Sequence, residues 1–242
     1  MNARVKRSIF PLCLLLFAGC SEPRVEGNGN PREEKRHLGA GTFSRIEIDA
    51  PVDARVTVGP AAGLAITGDA NLLRYVRSDI RDNTLHIYAD EHVDMNLRKN
   101  MTAVITLPML DDFDASGAGA HEISGPIRSE EFGLELSGSG SLTISELQAK
   151  NFSAEFSGSS AFHLLGGAIE HAKYLVSGSG EIRAFGATHQ DARLELSGAA
   201  NAEITVNRKL DVEISGAGTV HYKGHPAITK EISGSGDIRD AN

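Results

Sequence analysis

The stretch Leu136-Ser137-Gly138-Ser139-Gly140-Ser141-Leu142-Thr143-Ile144 returns twenty residues later as Phe156-Ser157-Gly158-Ser159-Ser160-Ala161-Phe162-His163-Leu164. It returns again as Val176-Ser177-Gly178-Ser179-Gly180-Glu181-Ile182-Arg183-Ala184. In all, Ser-Gly followed by Ala or Ser begins at Ser116, Ser137, Ser157, Ser177, Ser197, Ser215 and Ser233, in steps of 21, 20, 20, 20, 18 and 18 residues. A constant period of this size is the mark of a solenoid, whose units bury their apolar sides by stacking on one another.

Alignment on the serine shows what each unit buries. The preceding residue is apolar in every copy: Ala115, Leu136, Phe156, Val176, Leu196, Ile214 and Ile232. Five residues after the serine stand Leu142, Phe162, Ile182, Ala202, Val220 and Ile238, with His121 the exception; seven after it stand Ile123, Ile144, Leu164, Ala184, Ile204 and Tyr222, with Asp240 the exception. Alternate side chains of two strands per unit therefore point to one core. Between the strands, Gly117, Gly138, Gly158, Gly178, Gly198, Gly216 and Gly234 mark corners where stacked backbone leaves no room for a side chain and positive φ is admissible.

Units of 18–21 residues suit one coil each of a right-handed parallel β-helix of about seven coils, with the corners stacked over about 29 Å. An antiparallel meander is the competing topology, and it does not require the same small corner each time. Upstream, short alternating runs such as Phe43, Ile46, Ile48 and Val52, Val56, Val58 are separated by Gly59-Pro60, Gly68-Asp69 and Asp82-Asn83. Asn71–Val76 is the one place with a helical-turn character. The class is all-β.

The start of the chain reads as an address. Residues 1–19 carry Arg4, Lys6 and Arg7 before an apolar run from Ile9, and end in Ala18-Gly19 before Cys20. This ending resembles a bacterial lipoprotein signal, with Phe17 in place of the usual Leu, and implies cleavage before Cys20 and lipidation of its thiol. Ser21 resembles the sorting residue of an outer-membrane lipoprotein. Residues 20–41, rich in Pro, Gly, Asn and charge, read as a lipid-anchored flexible tether. Residues 42–110 read as a β-rich N-terminal region and 111–242 as the repeat solenoid, the two together forming one domain.

Cleavage would remove Cys13 and commit Cys20 to lipid, so no thiol remains for chemistry. It would leave 21 basic against 32 acidic residues. A chain this acidic does not suit nucleic acid, whose phosphates require a basic surface.

Phe43-Ser44-Arg45-Ile46-Glu47-Ile48, Gly68-Asp69-Ala70-Asn71-Leu72-Leu73, Leu107-Pro108-Met109-Leu110 and the serial SGSG corners together resemble the head GIN domain family of auto-transporter adhesins, over about residues 43–238. The resemblance implies a β-helical domain of the cell surface or periplasm and supplies no catalytic residues.

The row two positions before each serine holds Asp114, Glu135, Glu155, Leu175, Glu195, Glu213 and Glu231, on the outward parity. Four adjacent acidic pairs would stand about 5 Å apart, each repelling by roughly 0.8 kcal/mol in water. Calcium could occupy such a ladder; a solvated edge that resists sheet pairing is the favoured explanation. Asp111, Asp112 and Asp114 raise the idea of a glycan-cleaving carboxylate pair, and His221 with His225 a zinc pair, but both groups fall at turns or junctions.

The expectation is a non-catalytic, lipid-anchored envelope protein without a cofactor, displaying a solenoid surface to glycan or protein. A structural or stress-related envelope factor and a polysaccharide-active β-helix are the competing classes. The uncapped last coil makes end-to-end self-association a further expectation.

Overall fold

The computed structural model describes residues 23–39 and 41–242; the signal segment 1–19 and Cys20 lie outside the described residues. Nine strands form the N-terminal part: β1 (Arg24–Glu26), β2 (Pro31–Arg36), β3 (Arg45–Asp49), β4 (Val52–Val58), β5 (Gly63–Asp69), β6 (Val76–Arg81), β7 (Thr84–Ala89), β8 (Asp94–Asn96) and β9 (Met101–Leu107). A single 3-10 turn, Leu73–Tyr75, separates β5 from β6. The coils follow as β10 (Asp112–Gly117), β11 (Ala120–Gly138), β12 (Ser141–Gly158), β13 (Ala161–Leu164), β14 (Gly167–Gly178), β15 (Glu181–Gly198), β16 (Asn201–Gly216), β17 (Thr219–Lys223), β18 (Ala227–Gly234) and β19 (Asp237–Asp240).

Each coil pairs with the next in parallel, serine on serine and glycine on glycine, from Ser116 against Ser137 through to Ser215 against Ser233. The chain is therefore a β-solenoid, and its seven corners bound about six turns. Parallel register at every step rules out the meander. At the corners the glycines have φ from +88° to +140°. The backbone ladder runs unbroken through them, as in Ser159 N to Gly138 O at 2.7 Å and Ser179 N to Gly158 O at 2.8 Å. A Cβ at Gly178 would collide with the carbonyl of Gly158, so the rungs pack on bare backbone there.

The coil has three strand segments, where the serine alignment suggested two. In the coil of β12 the inward residues are Leu142 and Ile144, then Leu147 and Ala149, then Phe152, Ala154 and Phe156. The middle face is hidden from the alignment because the period varies there. Between β15 and β16 the register breaks at Ala184/Thr188 and His189/Asp191, where the 18-residue coil drops two residues. Inside, aromatic rings stack along the axis: Phe132 on Phe152 at 5.8 Å, Phe152 edge-on to Tyr174 at 5.4 Å, and Phe156 beside Phe162 at 5.4 Å. Each such pair adds about 0.5–1.5 kcal/mol beyond burial.

The N-terminal part continues these ladders. β3 pairs in parallel with β10 and β7, and β4 with β11 and β9, so residue 110 is no break in the sheet. The ladders then end on antiparallel strands, β6 on β7 and β2 on β5, while Leu72, Leu73 and Val76 are fully buried in the same core. This end is capped.

Two expectations change. The free tether expected over 20–41 is corrected across 24–36, since β1 pairs with β8 and all six residues of β2 pair with β5; residues 20–22 and 40 lie outside the described residues. These segments are polar because they are edge strands, half exposed, and their order comes from backbone pairing rather than apolar burial. Their anchor is Asp69, fully buried, whose carboxylate accepts N–H bonds from Gly29 at 2.7 Å, Arg98 at 2.9 Å and Lys99 at 3.1 Å. Burial pushes its pKa up, but these three backbone donors and the Arg98 charge outweigh that and hold it below the usual carboxylate range.

The opposite end is open. Ile228 and Ile232 are 39% and 37% exposed on β18, and Lys230 occupies the inward row beside Val212. An inward lysine on a terminal strand hinders further strand addition.

Candidate functional site

The outward row of the third face is built by the same register that stacks the corners. Asp114, Glu135, Glu155, Leu175, Glu195, Glu213 and Glu231 follow one another on adjacent strands. The row extends further than the repeats reveal, with Glu47 under Asp114 and His86 under Glu47. Arg45-Ile46-Glu47-Ile48-Asp49 has the alternation of a repeat strand but no Ser-Gly corner after it, so the alignment misses it.

The repulsion expected along this row is relieved by several local means. Arg193, two residues before Glu195 on the same outward parity, bonds Glu195 at 2.6 Å and Glu213 at 3.4 Å, and Lys173 lies 3.9 Å from Glu195. His86 Nδ1 is 2.9 Å from Glu47. Leu175 interrupts the carboxylates at the centre. Asp114 is pushed up to about 7 by burial first, then by the charge and hydrogen bond of Asp112 and the charges of Glu135 and Glu47. A carboxyl raised in this way lowers the charge at that end of the row. The carboxylates form a line, and among the described residues no three His, Cys, Asp or Glu side chains are grouped to hold a metal ion.

Beside the row runs a groove of about 490 Å³ that crosses the coils from Glu135 to Ser215. One wall carries Glu135, Glu155, Glu195 and Glu213, with Leu175 standing in that row between Glu155 and Glu195; the corner serines Ser157, Ser177, Ser197 and Ser215 form the other. A smaller cleft of about 350 Å³ continues it past Asp114, Glu47, Asp49 and Ser116. Ser116 donates to Asp49 at 2.7 Å, and Ser157 bonds Ser137 at 3.3 Å. Both of these bonds are made at the exposed surface.

Of the other sequence candidates, only Asp112 and Asp114 are brought together. Asp111 accepts from Ser129 Oγ at 2.9 Å, while its backbone bonds Ser44 O and Gly133 N, which is a turn role. Asp112 and Asp114 stay together on β10, two residues apart and close enough for the charge and hydrogen bond that help raise Asp114, while Asp112 with Asp111 also lines a second cleft, about 460 Å³, with Phe132, Phe152, His171 and Lys173. His163 lies outward between Thr143 and Arg183, and His221 outward between Glu203 and Arg239.

Two buried histidines had no counterpart in the sequence reading as polar sites. His189 Nδ1 donates to Thr205 O at 2.8 Å, so Nε2 accepts from the Tyr174 hydroxyl at 2.8 Å. His121 Nδ1 accepts from Ala54 N at 3.2 Å, with its ring 5.5 Å from Phe113. Burial pushes both down to about 4. Both are structural, enclosed by core.

The family model described as "Putative auto-transporter adhesin, head GIN domain" matches residues 42–226. The fold is similar to crystal structures of a putative lipid binding protein from Parabacteroides distasonis (25% identity, TM-score 0.72, covering 90% of this chain and 100% of that one) and a putative adhesin from Bacteroides fragilis (22%, 0.77, 89% and 99%). A putative adhesin from Parabacteroides merdae is similar too (24%, 0.71, 91% and 100%). Among curated proteins none matches the chain.

Proposed function

The chain belongs to the head GIN domain family of putative auto-transporter adhesins, and from that premise we propose that it is a non-catalytic envelope lipoprotein, anchored at Cys20, whose acidic groove binds an extended surface ligand. The observation that carries this reading is the groove itself. It is long, shallow and rigid, it repeats with the coil spacing of about 4.8 Å, and it presents carboxylates opposite hydroxyls. A linear chain bearing amines at intervals, such as an amino-sugar polymer, fits that pattern: ammonium groups meet Glu155 and Glu195 across the Leu175 notch while sugar hydroxyls meet the serine wall. Rim carboxylates of this kind contribute to approach and register more than to raw affinity, so binding should weaken with salt.

Hydrolysis is disfavoured as the reading because the acids of this groove lie along one wall. Among the described residues, no second carboxylate faces them across the space a sugar ring would fill in this groove. The test is binding of residues 23–242 to immobilised envelope glycans, including neutral and amine-bearing polymers, and to matrix proteins, with and without calcium. Saturable, salt-sensitive binding to the amine-bearing class that falls at least tenfold in Glu155→Gln/Glu195→Gln supports the reading. Binding indifferent to that double variant, or release of glycan fragments, refutes it.

A further inference from the structure

We infer that the capped N-terminal end of the solenoid is a membrane-docking surface, held flat against lipid headgroups so that the coil axis and the open end project away from the bilayer. The inference rests on the lipoprotein reading of Cys20, and it follows from the order found where a tether was expected.

Only Ser21, Glu22 and Pro23 separate Cys20 from β1. Four Cα steps span at most about 14 Å. The chain cannot lengthen this leash by peeling away from the domain without losing many bonds. Gly27 N bonds Asn96 O at 2.9 Å, Asn28 N bonds Asn71 Oδ1 at 2.9 Å, and Asn71 Nδ2 donates to Glu26 O at 2.8 Å. Release of Gly29 would also leave the fully buried Asp69 carboxylate short of one of its three donors. Lipid at Cys20 therefore places the cap within one short leash of the headgroups, whatever the rest of the molecule does.

Charge points the same way. Residues 23–110 carry 11 Lys and Arg against 12 Asp and Glu, whereas residues 111–242 carry 10 against 19. The end nearest Cys20 is almost neutral, and the coils beyond it repel an anionic leaflet. Next to β1 the turn after β8 presents Arg98 and Lys99, both exposed and without an ion pair among the described residues. Lysine and arginine at the emergence point suit phosphate headgroups. The groove and the uncapped coil then stand outward, with β18 eight ladder steps, or about 38 Å, above β7.

The test uses the full acylated protein in vesicles of phosphatidylethanolamine and phosphatidylglycerol. With Cys20 acylated no other thiol remains, so Asn100→Cys, beside the two cations and exposed, and Ser235→Cys each take one donor dye, and energy transfer to a headgroup acceptor is read. Transfer several-fold higher from position 100 than from position 235, lost when a long Gly-Ser segment is inserted between Ser21 and Glu22, is the expected result. Equal transfer from the two positions in acylated protein overturns the docking while leaving the anchor intact. Mass spectrometry showing an unmodified Cys20 in membrane-derived protein overturns the lipoprotein reading itself.

Discussion

Acid should weaken the fold through His189, and the size of the effect follows from its environment. Both ring nitrogens are engaged in the neutral form, Nδ1 on Thr205 O and Nε2 on the Tyr174 hydroxyl. A proton added at Nε2 buries a charge and turns the tyrosine hydrogen away from its acceptor. The folded pKa of about 4 lies below the unfolded value of about 6.5. A depressed histidine pKa means stability fully present above the unfolded value and lost as pH falls toward the folded one. From pH 7.5 to 4.5 the loss is about 2.5 kcal/mol. His121 adds a loss in the same window, while Asp114, with a folded pKa of about 7, gains stability as pH falls through it. The His189 share is therefore isolated by difference, using urea unfolding at the two pH values of the parent and of Tyr174→Phe/His189→Leu. The variant leaves Thr205 O unpartnered, a cost independent of pH. It should lose about 2.5 kcal/mol less than the parent across the window. A nuclear magnetic resonance titration of His189 in the parent gives a second reading, expected near 4. Equal losses in parent and variant, or a midpoint near 6.5, refute the reasoning.

Other consequences are open to test by the same unfolding measurements. Ser160 Oγ is buried without a partner at a corner position where Gly140, Gly180 and Ala200 stand in neighbouring coils, so Ser160→Ala should stabilise by about 1 kcal/mol. Gly178→Ala must both hold φ near +125° and strike the Gly158 carbonyl, whereas a Cβ at Gly117 meets nothing within 4 Å; the first should cost about 3 kcal/mol or more and the second about 1. Asp69→Ala leaves three backbone donors without their acceptor and should cost about 3–6 kcal/mol. Because the Asp69 pKa is depressed, its contribution is present above about pH 4 and lost on further acidification. End-to-end association is tested by sedimentation: with Lys230 inward the parent should stay monomeric, and Lys230→Ile should shift it toward dimers.

The serine alignment made the stacking legible because its signal is covalent and repeated: small residues recur wherever rung meets rung. It also found the acidic row, since Asp114 to Glu231 keep a fixed offset from the corners. It missed the second face, where Leu147 aligns with Gly167 and Ala187 and the coil length changes by two residues. Variation in length there erases the offset that identified the other two faces. The tyrosine and histidine of the core were opaque for another reason. Tyr174 occupies an inward position held by Ala154 and Leu194 in its neighbours, and His189 lies on the shifted face, so only three-dimensional packing brings them to 2.8 Å. Composition misled at residues 24–36. Pro31-Arg32-Glu33-Glu34-Lys35-Arg36 has no apolar residue to announce a strand, yet as an outermost antiparallel strand it needs only backbone partners. Leu175 stood out as the gap in the acidic row, but its place in the wall of a groove depends on the corner serines across from it.

Hydrogen exchange of residues 23–242, free and saturated with an amine-bearing glycan polymer, tests the central claim most directly. Slowed exchange confined to the strands at 155–158, 175–178 and 195–198 is the predicted result, since those rungs carry both walls of the groove. Protection on the Ala161–Leu164 face or along Leu147–Ala149, with the acidic row unchanged, would contradict it.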